Sequence, residues 1–229
     1  FEDRRDAGRQ LGERLRGYAS PNTVVMGLTR GGVVVAAEVA SALGAPLEAI
    51  ITRKIGAPGN PEYAIGAVAE GGEPVLNEAE IQFLGIPDAY VCQAVSIHEQ
   101  EIRHLQQVYR SGRSLPDLRG RLVVLVDDGI ATGYTMRAAV AAVRRAGAAT
   151  VVVAVPVGPV ETIEAFRNVA DTVVCLATPE PFFAVGSFYD DFAQVTDDEV
   201  KRLLQEAADR VAAGVAGPCR SATTGDSQG

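Results

Sequence analysis

Apolar residues fall into short runs separated by longer mixed segments, and this pattern predicts a regular succession of strands and helices. Short apolar runs predict strands at residues 23–28, 47–52, 63–69, 123–126, 150–155 and 172–176. Helical spacing and flanking glycines predict helices at residues 4–15, 31–43, 78–84, 88–109, 135–146 and 160–168. Strands that alternate with helices in this way are typical of an α/β fold with a largely parallel sheet.

Residues 123–135 join a buried strand to a helix through a loop that suits an anion. Four apolar β-formers are followed by Asp127 and Asp128, then by a loop of small residues, and a helix opens at Thr135. The amino end of a helix carries unpaired backbone N–H groups and about half a positive charge, so this loop can wrap a phosphate. The two carboxylates beside it suit a ligand that has a vicinal diol and a divalent cation.

The spacing within this loop excludes two common phosphate motifs. The loop has no lysine, which a Walker-type loop requires, and it lacks the Gly-x-Gly-x-x-Gly spacing of the dinucleotide fingerprint. The hydroxyls of Thr132 and Thr135 would add donors, and each charge-assisted hydrogen bond contributes roughly 1.5 to 3 kcal/mol. The alternative interpretation is a parallel strand that simply ends in a solvated Asp-Asp turn.

The sequence Asp-Asp-Gly-Ile-Ala-Thr-Gly-Tyr-Thr at 127–135 resembles the 5-phosphoribosyl-1-diphosphate (PRPP) signature of the type I phosphoribosyltransferases. This resemblance implies that Asp127 and Asp128 bind the ribose hydroxyls. It also implies that the 5-phosphate lies in the loop formed by Ala131, Thr132, Gly133, Tyr134 and Thr135. Gly129 departs from the family, which usually has an aliphatic residue there. Ala131 matches adenine-type members, whereas hypoxanthine-guanine members carry an Asp at that place as a base.

The resemblance further implies a three-layer α/β/α Rossmann-like fold. Its mostly parallel six-stranded sheet would have the order 3-2-1-4-5-6, with strand 3 antiparallel, and the ligand would lie where the strand order reverses. The first predicted strand runs into Arg30, Gly31 and Gly32, which expose N–H groups at the start of a helix. Because family members bind pyrophosphate in this location, we assign these three residues to the diphosphate of PRPP. The alternative is an ordinary glycine turn with a surface arginine.

Two cations, Arg53 and Lys54, stand at the end of the second predicted strand, before a loop rich in Pro and Gly. Type I members have a flexible loop here that closes over the reacting centre and excludes water. The resemblance therefore implies that Arg53 and Lys54 clamp the departing pyrophosphate. Glu62 is the only carboxylate of this loop. Our hypothesis is that it manages the proton of the nucleophile, and the alternative is a plain solvated Glu.

Aromatic residues are concentrated in residues 177–195, after the last predicted strand. This segment holds five of the 13 Phe and Tyr residues of a chain that has no Trp. Family members often build the base-binding hood from the end of the chain, and stacking on an aromatic ring contributes roughly 1 to 3 kcal/mol per base. The candidates for base contact are Phe182, Phe183, Phe188 and Tyr189. The alternative is a loop whose rings only cover the core.

Composition narrows the class of protein. The chain has 229 residues, of which 47% are hydrophobic and 22% charged, as expected for a soluble domain. Its net charge of −8 argues against a nucleic-acid partner, and no apolar run is long enough to span a membrane. Three widely spaced cysteines fit a reducing cytoplasm. His98 and His104 are six residues apart on a predicted helix, which places them on different faces and makes a metal pair unfavourable.

The resemblance implies a phosphoribosyltransferase domain at residues 1–213, and the small and polar residues at 214–229 predict a disordered tail or linker. We expect a cytoplasmic, homodimeric enzyme of nucleotide metabolism that transfers the phosphoribosyl group of PRPP to a nitrogenous base. Mg²⁺ would be held chiefly by the ligand, with Asp127 and Asp128 contacting it at most through water. The alternative function is a PRPP- or nucleotide-sensing module of the same fold without turnover. Relatives of the suspected subgroup also suggest a hydrolase domain fused beyond the end of the chain.

Overall fold

The core of the protein is a parallel sheet of five strands, in the order β2 (Leu47–Ile50), β1 (Thr23–Leu28), β6 (Leu122–Val126), β7 (Thr150–Val157) and β8 (Thr172–Ala177). The computed structural model describes residues 1–110 and 115–215. All five strands form from the apolar runs seen in the sequence, because strands covered on both faces need apolar side chains on both.

A second, smaller sheet contains the strand predicted at residues 63–69, which was expected at the edge of the main sheet. It is antiparallel and consists of β3 (Thr52–Ala57), β4 (Asn60–Ala69) and β5 (Val75–Leu76). The prediction of a six-stranded sheet is therefore wrong in its strand count, although the order of the other five strands is as expected. The reason is that β4 pairs with β3, directly before it in the chain, and a short turn at residues 58–59 makes this hairpin the nearer partner.

Helices cover both faces of the main sheet and complete three layers. The helices are α1 (Arg4–Leu15), α2 (Gly31–Leu43), α3 (Glu78–Phe83), α4 (Asp88–Arg110), α5 (Tyr134–Arg145), α6 (Val160–Phe166) and α7 (Asp197–Val215). Side chains from α1, α2 and α7 pack on one face of the sheet and those from α5 and α6 on the other, while α4 packs on α7 and on the second sheet. Alternation along β6 serves both layers, since Val124 faces the first and Leu125 the second. The predicted α/β class and three-layer architecture are confirmed.

The strand order reverses between β1 and β6, and this point fixes where a ligand would lie. The register pairs Gly27 with Val126, so both strands end at the same edge of the sheet. The chain segments that follow β1 and β6 consequently begin side by side, which is the place at which α/β sheets bind ligands.

The last helix extends into the segment that was expected to be a tail. Of the expected tail, residues 214 and 215 continue α7, and the remainder lies outside the described residues. Within residues 1–110 and 115–215, no helix combines the length and the apolar character needed to cross a bilayer.

Candidate active site

Two carboxylates meet the amino end of α2 at the edge of the sheet. Asp127 and Asp128 follow β6 directly, and both are partly buried. A Cβ atom at Gly31 would lie 2.0 Å from Oδ2 of Asp128, and one at Gly32 would lie 2.8 Å from Oδ1 of Asp127. These two positions therefore require glycine, because any side chain would push the helix away from the acidic pair. The positive end of α2 faces the carboxylates as a result.

The acidic pair is electrostatically coupled. Burial raises the pKa of Asp127 well above its ordinary value, and the neighbouring Asp128 carboxylate raises it further. Burial also raises the pKa of Asp128, while the Arg4 guanidinium opposes this shift. The backbone N–H of Asp128 donates to Oδ1 of Asp127 over 2.9 Å and fixes that side chain. The pair thus favours a ligand that supplies hydroxyl donors or positive charge.

Arg4 is a site residue that the sequence did not reveal. Its Nε donates to Oδ2 of Asp128 at 2.7 Å, and its Nη1 donates to the carbonyl oxygen of Ala193 at 2.8 Å. The guanidinium carbon lies 3.7 Å from the centre of the Phe192 ring. No signal marks this residue in the sequence, because Arg4 is one of several charged residues in α1 and its partner is 124 positions away.

The loop after the acidic pair leads into α5 and is open to solvent. Ala131 and Thr132 are exposed, and helix α5 begins at Tyr134, one residue before the predicted start. The hydroxyl of Thr162 donates to the carbonyl oxygen of Ala131 over 2.9 Å and holds the loop from behind. Gly133 has φ +79° and precedes a helix that no side chain caps in the described structure. The amino-terminal N–H groups of α5 therefore remain available to an anion.

Arg30, which directly precedes α2, lies near Arg4 and Gly31. Arg30 precedes the helix, after a cis peptide bond from Thr29, and its side chain is 37% exposed. Its Nη1 lies 3.7 Å from Oδ1 of Asp197, the first residue of α7. The same carboxylate oxygen accepts a hydrogen bond of 2.6 Å from the hydroxyl of Tyr109. Asp197, which Tyr109 fixes, thus holds Arg30 at a long distance and leaves its side chain partly accessible.

Comparison with known proteins decides the family. Residues 4–192 match the family model described as a phosphoribosyl transferase domain. The chain belongs to this family. The match begins at Arg4 and includes the whole of residues 127–135, so the resemblance of that motif to the phosphoribosyltransferases is confirmed.

Individual relatives agree with this assignment. Proteins from Mycobacterium tuberculosis strains CDC 1551 and H37Rv, both named "Putative phosphoribosyl transferase", are 48% identical to the chain over 208 residues. This alignment covers 90% of the chain but 47% of each relative, so the chain spans about half their length. The crystal structure of TT1426 from Thermus thermophilus is similar with a TM-score of 0.74 at 46% identity. That comparison covers 90% of the chain and 98% of TT1426.

Gly129, where the chain departs from the usual family motif, has a structural reason. A Cβ atom at this position would lie 2.5 Å from Cγ1 of Val185 and 3.1 Å from Cγ1 of Val157. Val185 begins a short 3-10 helix at Val185–Phe188, within the segment that follows β8. The missing side chain therefore lets this later segment pack directly on the loop that carries the acidic pair.

We predict that Gly129→Ala destabilises the fold by about 1 to 3 kcal/mol, because an added methyl group overpacks this contact. Chemical denaturation should measure the loss, and Val185→Ala in the same chain should restore part of it. Gly17→Ala is the matched control, since a Cβ atom there would meet nothing within 4 Å. Equal effects of the two glycine substitutions would contradict the assigned role of Gly129.

Arg53 and Lys54 are not brought together in the structure. They lie in β3, where successive side chains point to opposite faces. Nε of Arg53 lies 3.1 Å from Oε2 of Glu101 in α4, and Nζ of Lys54 lies 2.8 Å from Oε2 of Glu62 in β4. The Lys54 ammonium lowers the pKa of Glu62, which is largely exposed. The segment expected as a flexible loop is therefore a hairpin in which each cation has a carboxylate partner.

Tyr189 supports the backbone that carries the acidic pair. It is buried, and its hydroxyl donates to the backbone carbonyl of Asp128 over 2.5 Å. The ring centres of Phe1 and Phe192 lie 5.4 and 5.0 Å from that of Tyr189. Burial is the main cause that raises the pKa of Tyr189, and the Asp128 carboxylate adds to it. This tyrosine orients the end of β6, a role that its position in the sequence did not indicate.

The other three aromatic candidates lie nearer the surface. Phe182 and Phe188 are partly buried, and their ring centres are 5.1 Å apart. Phe183 is 84% exposed. Of the four aromatic candidates, Phe183 thus presents the most ring surface to a stacking partner.

Proposed function

We propose that this domain binds PRPP and transfers its 5-phosphoribosyl group to a nitrogenous base, with release of pyrophosphate. The observation that carries this proposal is the pairing of two helix amino ends, those of α2 and α5, around two coupled carboxylates. No side chain caps either helix in the described chain. Two uncapped helix ends beside an acidic pair suit a sugar with a phosphate at one end and a diphosphate at the other.

The roles proposed for the residues follow this geometry. Asp127 and Asp128 would accept hydrogen bonds from the ribose hydroxyls and stabilise the positive charge that develops at C1. The loop at 131–135 would bind the 5-phosphate. Arg30 and the N–H groups of Gly31 and Gly32 would bind the diphosphate.

The donor set fits Mg²⁺ only together with ligand oxygens. Within the described residues, no group of three or more His, Cys, Asp or Glu side chains could hold a metal ion. Two carboxylates remain, and Mg²⁺ is commonly held by one or two carboxylates plus substrate phosphates. Asp127 and Asp128 would therefore contact the ion through water, and Mg²⁺ would supply charge neutralisation at the diphosphate.

The hairpin and the aromatic segment would complete the reaction site. We propose that the β3–β4 hairpin closes over the ligand and that Arg53 or Lys54 then exchanges its carboxylate partner for the departing pyrophosphate. Glu62, released from Lys54, would manage the proton of the nucleophile. The base would stack on Phe182, Phe183 or Phe188, whereas Tyr189 supports the acidic pair. The cytoplasmic location, the homodimer and the fused hydrolase domain also remain predictions.

A screen for released pyrophosphate tests the proposed function. Purified protein would be incubated with PRPP, Mg²⁺ and a panel of purine, pyrimidine and other nitrogenous bases. Pyrophosphate release that depends on one base supports the transferase. PRPP binding without release for any base would support the sensing alternative, and absence of PRPP binding would contradict both functions.

We predict that Thr132→Val combined with Thr135→Val weakens binding of ribose 5-phosphate at least about tenfold, because two hydroxyl donors to the phosphate are lost. The measurement is the ligand-dependent increase in melting temperature, which follows the affinity by mass action. Gly133 is left unchanged, since a Cβ atom there would lie 2.6 Å from Cε2 of the buried Phe166.

Thr172→Val is the matched control for this pair. Thr172 opens β8 at the opposite edge of the sheet, and valine suits a strand equally well. If the loop variant keeps the full thermal shift, the assignment of the 5-phosphate to residues 131–135 is wrong.

A further inference from the structure

Arg4 is largely buried, yet its hydrogen-bond partners in the described structure do not use all of its N–H donors. Its side chain is 11% exposed, and the Asp128 side chain that it contacts is 15% exposed. Nε and Nη1 each have an acceptor, whereas Nη2 has no hydrogen-bond partner among the described residues. A guanidinium carries five N–H donors in a fixed planar fork, so Arg4 can bind a second anion while it holds Asp128.

Arg4 lines two of the cavities, and the larger of them has a volume of about 350 Å³. The cavity is lined by Arg4, Arg30, Gly31, Phe192, Gln194 and Val195. It therefore joins two arginines to the uncapped amino end of α2, and its lining residues include no carboxylate. This combination favours a compact ligand with several negative charges.

The structure also holds Arg4 in place before any ligand binds. The guanidinium lies over the Phe192 ring, and its Nη1 is anchored on the carbonyl oxygen of Ala193. A charged group that is already oriented loses little side-chain entropy when an anion arrives. Arg4 also lies close to the start of α2, since a Cβ atom at Gly31 would lie 2.9 Å from Nε of Arg4.

We infer that Arg4 is a diphosphate-binding residue that, together with Arg30, holds the leaving group and links it to the ribose-binding carboxylate Asp128. This inference rests on the proposed function. Arg4 lies in α1, outside the motif at residues 127–135. It would add α1 to the two elements already proposed to bind the diphosphate, which are the start of α2 and the strand β3. The competing explanation is a purely structural ion pair that ties α1 to the end of β6.

The test compares two partial ligands on the same variants. Binding of Mg²⁺-pyrophosphate and of ribose 5-phosphate would be measured by calorimetry on the wild type, Arg4→Gln and Arg4→Lys. Arg9→Gln is the matched control, because Arg9 lies in the same helix and pairs with Asp6 on the surface. Melting temperatures would show whether each variant is folded, and Arg4→Lys keeps a cation if Arg4→Gln does not fold.

We expect Arg4→Gln to weaken pyrophosphate binding more than tenfold and ribose 5-phosphate binding by less than threefold. Arg4→Lys should recover only part of the loss, since an ammonium cannot hold Asp128 and an anion in one plane. Unchanged pyrophosphate binding, or equal losses for both ligands, would overturn the role of Arg4 while leaving the proposed function standing. A wild type that binds neither ligand would overturn both.

Discussion

Asp128→Asn should lower turnover about a hundredfold or more and change the affinity for PRPP much less. The sugar is neutral at C1 in the ground state and cationic in the transition state, so a nearby carboxylate stabilises the transition state selectively. A hundredfold loss corresponds to about 2.7 kcal/mol of that stabilisation. The steady-state kcat and the KM for PRPP, measured with the acceptor found in the pyrophosphate screen, separate the two effects.

The design of this experiment has to account for Arg4. Asparagine keeps an oxygen that can accept from Nε of Arg4, whereas alanine would release the guanidinium from its 2.7 Å contact. Asp190→Asn is the matched control, because Asp190 is exposed and lies beside Tyr189 in the segment that supports the acidic pair. Equal losses in kcat and in PRPP affinity would indicate that Asp128 only positions the sugar.

The sequence was sufficient where the determining interactions are local. The strand before Asp127 is a continuous apolar run. The loop after Asp128 has small residues, which leave the amino end of the next helix open. Such features involve neighbours in the chain, so the fold class and the acidic pair's place at the edge of the sheet could be predicted. The sheet's strand count could not, because pairing of residues 60–69 with β3 depends on a hairpin turn rather than on the apolar pattern.

The parts of the site that were missed depend on contacts between distant segments. Arg4 meets Asp128 across 124 residues, and Tyr189 meets the same residue across 61. Neither contact with Asp128 has a signal in the sequence, because Arg4 is one of several charged residues in α1 and Tyr189 stands among the aromatic residues that were expected to contact the base. The packing of Val185 on Gly129 likewise required coordinates, although the unusual glycine in the motif was visible in the sequence.

The roles of Arg53 and Lys54 show a different limit of sequence reasoning. Their segment contains Pro and Gly, which predicted a flexible loop, yet it forms β3 and the turn of a hairpin. In a strand the two cations face opposite sides, and each has a carboxylate partner. A role for both in one pyrophosphate clamp therefore requires the hairpin to move, which kinetic effects of single alanine variants at each position can test.

The largest loss of stability is expected for Glu70→Ala, far from the proposed chemistry. Glu70 follows β4, and its side chain forms an ion pair with Arg110, the last residue of α4. The two residues are 2% and 5% exposed. Burial raises the pKa of Glu70, while the Arg110 guanidinium opposes this shift. Removal of the carboxylate alone leaves a buried guanidinium charge without this counterion.

We expect Glu70→Ala to lower the free energy of unfolding by about 3 to 5 kcal/mol, and the melting temperature by roughly 6 to 20 °C. Glu73→Ala is the matched control, because Glu73 pairs with Arg145 on the surface at 3.3 Å and is 86% exposed in its side chain. That variant should change stability by less than about 1 kcal/mol. Comparable melting temperatures for the two single variants would show that the buried pair does not hold α4 against β4.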